Sequence, residues 1–151
     1  MKLFFALVLF APLSAYAVPA SHMLEARFTN GPGWLISDIF VNASDGAVMV
    51  SKFTGPGNPP TPYKQIATLS AAEVADAENE IAALPRAPLV RLDPHQNFNP
   101  GGFGSSYLAT KQPGDTMEFA RNVSGVDYGF PGNADAAALT ALLNRLAKLA
   151  Q

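Results

Sequence analysis

The stretch SAAEVADAENEIAAL, residues 70–84, is the clearest helix in this chain of 151 residues, and it divides the remaining elements into two groups. Ser70 followed by Glu73 forms a capping box, in which the serine oxygen accepts a backbone amide and the glutamate reaches back to the start of the helix. The apolar positions recur at the three- and four-residue spacing of a buried helical stripe; they are Val74, Ala77, Ile81 and Leu84. Pro85 ends the pattern, so we predict a helix over 70–84 with one face packed on the rest of the protein.

On the N-terminal side of this helix the sequence predicts four strands. Residues 24–29 (LEARFT) alternate, with Leu24 on a buried face and Glu25 on the opposite face. Residues 34–41 (WLISDIFV) are mostly apolar on both faces, as a buried helix segment also would be, but their β-branched and aromatic content and the flanking turns favour a central strand. The other predicted elements here are strands 47–53 and 63–69 and a Pro/Gly-rich surface loop at 54–62.

On the C-terminal side the sequence predicts a hairpin and a second helix. Residues 105–112 and 116–123 form the hairpin around a Pro-Gly-Asp turn. The last helix begins near Asn133 or Asp135 and carries a stripe of leucines toward the end of the chain. The intervening segments are predicted as loops: 86–104, with a short extended piece packed on the core at 89–92, and 124–132.

The resulting order, β-β-β-β-α-β-β-α, is typical of one fold class. Strands joined mostly by short turns pair in antiparallel fashion, and helices then cover one face of the sheet. We therefore predict an α+β fold with an antiparallel sheet and two helices packed on one face.

The N-terminus has the layout of a secretory signal peptide. Lys2 precedes an apolar run over residues 3–12, and the small-x-small site Ala15-Tyr16-Ala17 follows it. The run is shorter than the about 20 residues that span a membrane, although a retained N-terminal anchor is the alternative. We predict a signal peptide at 1–17, a single α+β domain at 18–151, and a periplasmic or secreted protein with no stable membrane span after cleavage.

Composition excludes several classes of function. The chain has no cysteine, so thiol catalysis, cysteine-ligated zinc and iron–sulfur clusters are ruled out, and an exported domain must rely on its core. The formal net charge is −2 and the sequence has no Lys/Arg cluster, so it lacks the electrostatic signature of nucleic-acid binding. We expect no nucleic acid among its partners.

Motifs for catalysis or cofactor binding are largely absent. The sequence has no phosphate-binding P-loop, no His-Glu-x-x-His zinc helix and no nucleophile elbow. His95 is the one plausible acid–base histidine, and Asp93 beside it could share a metal ion. The alternate spacing of Asp93, Asn97 and Asn99 is faintly similar to a calcium loop, but the Gly-x5-Glu continuation is missing. We predict a non-enzymatic protein without metal or cofactor.

Four aromatic residues mark the candidate binding surface. Phe98 and Phe103 precede the predicted hairpin, and Tyr128 and Phe130 follow it. The entry and exit of a hairpin lie at the same end, so the two glycine-rich loops should meet there. Aromatic side chains on loops held by a rigid scaffold commonly carry recognition. We predict that these four residues bind a partner; the alternative is that they plug the open end of the core.

The order and character of the elements resemble the emfourins, a family of small bacterial inhibitors of thermolysin-type metallopeptidases. The residues that carry the resemblance are Gly31-Pro32-Gly33, Leu69-Ser70-Ala71-Ala72-Glu73, Tyr107-Leu108-Ala109-Thr110 and the leucine-rich segment 139–146. An acidic residue that the family pattern places shortly before the hairpin tyrosine is absent, since Phe103-Gly104-Ser105-Ser106 stands there. The resemblance implies inhibition of a peptidase and assigns no inhibitory residues.

The sequence thus favours an exported recognition domain that binds a protein partner, in the narrower form a secreted peptidase, through its Gly/aromatic loops. The alternative is an envelope enzyme, or a small-ligand or metal-binding protein, centred on His95 and Asp93. A structural role in a larger envelope assembly is a third hypothesis, based on the second apolar face of residues 34–41.

Overall fold

The structure of the protein, a computed structural model, describes residues 22–30, 35–55 and 58–151. The elements in chain order are β1 (His22–Thr29), β2 (Leu35–Asn42), β3 (Ala47–Lys52), β4 (Lys64–Thr68), α1 (Ala71–Ala83), β5 (Val90–Arg91), β6 (Gly104–Gln112), β7 (Asp115–Val123), β8 (Val126–Gly129) and α2 (Ala134–Leu149). The predicted signal peptide, residues 1–17, lies outside the described residues. Within them, neither helix has the length and apolar character needed to cross a membrane.

The strands form a sheet with the order β4-β3-β2-β1-β6-β7-β8-β5, and every neighbouring pair is antiparallel. This sheet consists of two meanders, β1 to β4 and β6 to β8, and of β5 at the edge beside β8. The two meanders are joined where β1 pairs with β6, which places β1 at the centre. The predicted α+β fold with an antiparallel sheet is confirmed.

The hydrophobic core lies between the helices and one face of the sheet, here called the helix face. Leu24 and Ala26 of β1 are fully buried, and their partners in register on β2, Val41 and Ile39, are buried with them. The helices cover this face with side chains of the same core cluster, namely Ala77 and Ile81 of α1 and Ala136, Leu139, Leu143 and Leu146 of α2. Full burial of one such leucine contributes about 1.5–3 kcal/mol, so this layer accounts for much of the stability.

Helix α1 begins as the sequence predicts. Ser70 is the N-cap, its hydroxyl accepts from the Glu73 amide, and the Glu73 side chain accepts from the Ser70 amide at 2.9 Å. The Glu73 carboxylate also accepts from Arg145 of α2 at 2.8 Å, so the cap ties the two helices together.

One segment differs from the prediction of irregular loops. Residues 126–129 form strand β8, because Ser124 and Gly125, with φ values of 51° and 90°, make a two-residue turn that lets the chain pair again with β7. Strand β5 lies within the extended piece predicted at 89–92 and pairs with β8 at the sheet edge. The expectation that residues 89–92 pack on the core is wrong for Val90 and Leu92, which are exposed, whereas Leu89 does pack against it.

The second face of the sheet is here called the open face. Simple alternation of buried and exposed residues predicts that its side chains are exposed, but several of them are buried. Glu25 points away from the helix face, as the pattern predicts, but it is only 2% exposed. Phe40 beside it is fully buried, with its ring 6.1 Å from that of His22 and 4.9 Å from that of Tyr63. The open face therefore contains buried polar side chains, which are described below.

Candidate functional site

The segments 93–104 and 124–132 meet at one end of the β6–β7 hairpin, and together they are called the loop end. The Asn99 amide donates to the Ser124 carbonyl at 2.8 Å. A Cβ atom on Gly102 would lie 3.2 Å from the Ser124 Cα, so glycine lets the two backbones approach closely here. The structure thus brings the two loops together at the end opposite the turn after Gln112.

Side-chain amides hold the loop end in one shape. Gln96 donates to the Asp127 carboxylate at 2.7 Å and accepts from the Asp127 amide at 2.8 Å. Asn122 donates to the other carboxylate oxygen of Asp127 at 2.7 Å, and the Arg91 guanidinium donates to the Asp93 and Gln96 carbonyls. These bonds fix the backbone of the first loop against β7 and β8, so the loop has little freedom to lose on binding.

The four aromatic residues of the predicted surface fall into different environments. Phe98 is 59% exposed and Phe103 is 71% exposed, so both present their rings to solvent. Phe130 is 9% exposed and belongs to the core cluster. Tyr128 is half-buried beneath the Arg121 guanidinium, which lies 5.1 Å from the ring centroid. Phe130 therefore fits the alternative in which the aromatic residues close the open end of the core. Phe98 and Phe103 are the two that the loop end exposes and leaves available for binding a partner.

Two cavities on the helix side of the sheet border the loop end. The larger, of about 970 Å³, lies between strands β6–β8 and helix α2, and both Tyr128 and Phe130 line it. Inside it the Tyr107 hydroxyl donates to the Asn144 side chain at 2.7 Å. The smaller, of about 370 Å³, is bordered by Phe103 together with Phe28 of β1 and Ala147 of α2. The exposed ring of Phe103 thus stands beside an apolar recess.

Asp93 and His95 serve the backbone of the first loop. The Asp93 carboxylate accepts from the His95 amide at 2.8 Å, which closes a turn, and both residues are exposed. Within the described ranges, no cluster of three or more His, Cys, Asp or Glu side chains is placed to hold a metal ion. No observation in this loop favours an active centre on these two residues.

A second candidate site lies on the open face, where four side chains form what we call the polar cluster: Glu25, Arg27, Asp38 and Tyr63. Arg27 and Asp38 are partners in register on β1 and β2. The Arg27 Nε donates to Glu25, and the Tyr63 hydroxyl donates to the Asp38 Oδ2 at 2.8 Å. Asp38 is only 4% exposed, and its second oxygen, Oδ1, is buried without a hydrogen-bond partner among the described residues.

The environment of the polar cluster shifts the pKa values of its two carboxyl groups in opposite directions. Burial raises the pKa of Asp38 to about 6, and the nearby Glu25 carboxylate adds to the rise, against the effect of the Tyr63 hydrogen bond. Burial also acts to raise the pKa of Glu25, but hydrogen bonds and charge from His22 and Arg27 outweigh it and lower that pKa. Such divergence between neighbouring carboxyl groups is common at functional sites.

The polar cluster borders a cavity of about 450 Å³ at the end of the sheet where β1 finishes and β2 begins. Its polar lining includes Arg27, Asp38, Tyr63 and the hydroxyl-bearing residues Thr29, Ser51, Thr61 and Ser106. An apolar wall is formed by Leu35, Phe53 and Pro60. A volume of several hundred cubic ångströms with few polar groups and an apolar wall is the usual form of a small-molecule site.

The sequence pattern does not predict the polar cluster. Asp38 within the mostly apolar sequence WLISDIFV (34–41) is the signal that could have indicated it, since a carboxylate on a central strand must find a partner. The identity of its neighbours depends on strand register and on the path of the chain from β3 to Tyr63, which periodicity does not give.

Comparisons of this chain with protein-family models, curated proteins and solved structures find no match.

Proposed function

We propose that this chain is an exported, non-enzymatic recognition domain that binds a protein partner through the loop end. The observation that carries the proposal is the distribution of exposed apolar side chains. The large exposed hydrophobic residues of the described ranges are Val90, Leu92, Phe98, Phe103, Val123 and Leu149, and all but Leu149 lie within or directly beside the loop end. Exposed apolar groups concentrated in one place are typical of an interaction surface.

The mechanism is recognition by a preformed surface. Two phenylalanine rings supply contact area with few rotatable bonds, and hydrogen bonds from Gln96 and Asn99 already fix the loop that carries Phe98. The recess beside Phe103 can accept an apolar side chain of the partner. A standard interface buries about 800 Å² on each partner, and we propose that the loop end and the adjacent strand ends supply this area.

The narrower proposal is that the partner is a secreted metallopeptidase of the thermolysin type. It rests on the emfourin resemblance of the capped helix at Ser70 and of the hairpin tyrosine, Tyr107. An assay of thermolysin with the protein in excess tests it: we expect peptidase activity to fall. Full activity at every ratio would contradict the narrower proposal and leave the protein partner to be identified.

Export is part of the proposal, with residues 1–17 as the removed signal peptide. Strand β1 begins at His22, so cleavage after Ala17 leaves the described sheet intact. Sequencing the N-terminus of protein purified from its natural source should find Val18 first. Finding Met1 instead would contradict export with cleavage.

Binding through the loop end is tested by comparing three proteins as baits for the exported fraction of the source organism. The wild type should retain a specific protein, and a double variant, Phe98→Ser with Phe103→Ser, should lose it because both rings are removed. Pro113→Ser, at the opposite end of the hairpin, is the matched control and should behave as the wild type. Equal retention by all three proteins would overturn the proposal.

The double variant should fold normally. Both rings are largely exposed, and surface substitutions usually change the free energy of unfolding by less than about 0.5 kcal/mol. Loss of binding with an unchanged melting temperature would therefore report the surface itself. A large loss of stability would show that these rings belong to the core.

A further inference from the structure

We propose that the cavity beside the polar cluster binds a small ligand through a primary ammonium group, which donates to the unpartnered Asp38 Oδ1 while its apolar body lies on Leu35, Phe53 and Pro60. This site is separate from the partner surface of the loop end and extends beyond the proposed function. A free amine and an α-amino acid share this ammonium chemistry.

The first support is the buried acceptor. Asp38 is 4% exposed and lines the cavity; Tyr63 donates to its Oδ2, and Oδ1 is buried beside the Glu25 carboxyl group and accepts no hydrogen bond from the described residues. A buried polar atom without a partner costs about 1–3 kcal/mol, more when it is charged. A ligand that donates a hydrogen bond to Oδ1 removes this penalty, so the site favours donors.

The second support is the charge of the cluster. Glu25 and Asp38 provide two carboxyl groups, and the Arg27 guanidinium, bonded to Glu25, provides one fixed positive charge. With both acids ionised and the His22 imidazole beside Glu25 neutral, the groups carry one negative charge more than positive, and the excess belongs to Asp38, which has no ion-pair partner among the described residues. A cationic donor compensates this charge, whereas a neutral hydroxyl does not.

The third support is the apolar wall. Leu35, Phe53 and Pro60 line the cavity opposite the charged groups and offer contact to a hydrocarbon body. A polyamine would place further charges against this wall, so the geometry favours one ammonium group on an apolar body. Arg27 keeps guanidinium donors that make no hydrogen bond within the described part of the chain, and these can donate to the carboxylate of an amino acid.

The experiment measures binding of matched probes to the full chain by calorimetry near pH 7.5. The probes are 3-methylbutylamine, the alcohol of the same shape (3-methylbutanol) and leucine, with glucose as a polyhydroxyl comparison. We expect the amine, leucine or both to bind with a dissociation constant of about 1 mM or below, the range for a ligand of this size. The relative affinity of amine and leucine identifies the source of the ammonium group. Binding of the alcohol or glucose at comparable strength, or no binding by any probe, would overturn the proposal.

Asp38→Asn is the decisive variant, because it keeps the size and the Tyr63 contact but removes the charge. We expect at least a tenfold loss of affinity for the ammonium probe. Asp76→Asn, which makes the same chemical change on an exposed position of α1, should leave binding unchanged. If Asp38→Asn fails to fold, Phe53→Ser tests the site independently, and unchanged affinity in that variant would contradict the proposal.

Binding should also weaken as the pH falls. The titratable or charged groups that face Asp38 are Glu25 and Arg27 from β1 and Tyr63 from the segment before β4, while β3 presents the neutral Ser51. An ammonium group requires the ionised form of Asp38, so lowering the pH from about 7.5 to about 5 should reduce affinity roughly tenfold. Affinity that does not change over this range would count against Asp38 as the acceptor.

Discussion

At the scale of single residues, Asp38 is the most unusual group in the described structure. It stands on a central strand between Arg27 and Ser51 in register, and it is buried with one oxygen unpaired. Arg27 pairs with Glu25 instead, so the nearest positive charge does not neutralise Asp38 directly. Burying a carboxyl group with one unpaired oxygen lowers the stability of the protein, and unfavourable arrangements of this kind are concentrated at functional sites.

The stability of the protein should therefore depend on the protonation of Asp38. Its pKa is raised from 3.8 in the unfolded chain to about 6 in the folded protein, so the folded state binds the proton more tightly. The free energy of unfolding should rise as the pH falls from about 7.5 to about 5; the gain begins near pH 6 and continues to about pH 4, where the unfolded chain binds the proton as well. The full effect of a shift of about two pKa units is roughly 3 kcal/mol.

Asp38→Asn should remove this dependence, because an amide has no charge to bury. We expect the variant to be more stable than the wild type near pH 7.5 by about 1–3 kcal/mol, and to gain little between pH 7.5 and 5. Urea unfolding at both pH values is the measurement. A variant that is less stable at pH 7.5 and keeps the wild-type pH dependence would show that Asp38 is not the responsible group.

At the scale of elements, α1 depends on a cap that also fastens it to α2. Ser70→Ala should lower the free energy of unfolding by about 1 kcal/mol, because the Glu73 amide loses its acceptor. Ser70→Thr keeps a hydroxyl and should lose much less. Thermal unfolding of the two variants checks this, and equal melting temperatures for Ser70→Ala and the wild type would contradict the role of the cap.

The Glu73 carboxylate gives this cap a pH dependence of the opposite sign to that of Asp38. Hydrogen bonds from Arg145 and from Ser70 hold the pKa of Glu73 at about 2, below the ordinary 4.5. Its contribution to stability is therefore complete above about pH 4.5 and lost as the pH falls toward 2. The acid side of the stability profile should fall for this reason, and Glu73→Gln should make that fall less steep.

Elements with a strong local signal could be predicted from the sequence, and those set by pairing could not. The capping box at Ser70 and the alternation at residues 24–29 are local signals, and both elements form where they predict. Strand β8 has only four residues, and its turn uses Ser124 where Asn or Asp is the usual signal. It is a strand because β7 offers an edge to pair with, which is tertiary information.

At the scale of the whole molecule, two candidate sites share one end of the sheet. The end of β1 at Thr29 borders both the polar cavity on the open face and the recess beside Phe103 on the helix side. The loop end could be predicted because the entry and exit of any hairpin lie together. Which of its aromatic rings are exposed could not, since the burial of Phe130 depends on where α2 packs. The polar cluster could not be predicted, because the neighbours of Asp38 depend on the strand register.

The central claim, that the loop end contacts a protein partner, is tested most directly by site-specific photo-crosslinking in the exported fraction of the source organism. Phe103→p-benzoylphenylalanine places the crosslinker on the most exposed phenylalanine ring of the described residues, and Pro113→p-benzoylphenylalanine places it at the opposite end of the same hairpin. We predict one discrete adduct with a second protein from position 103 and none from position 113. No adduct at position 103, or the same adduct from both positions, would contradict the claim.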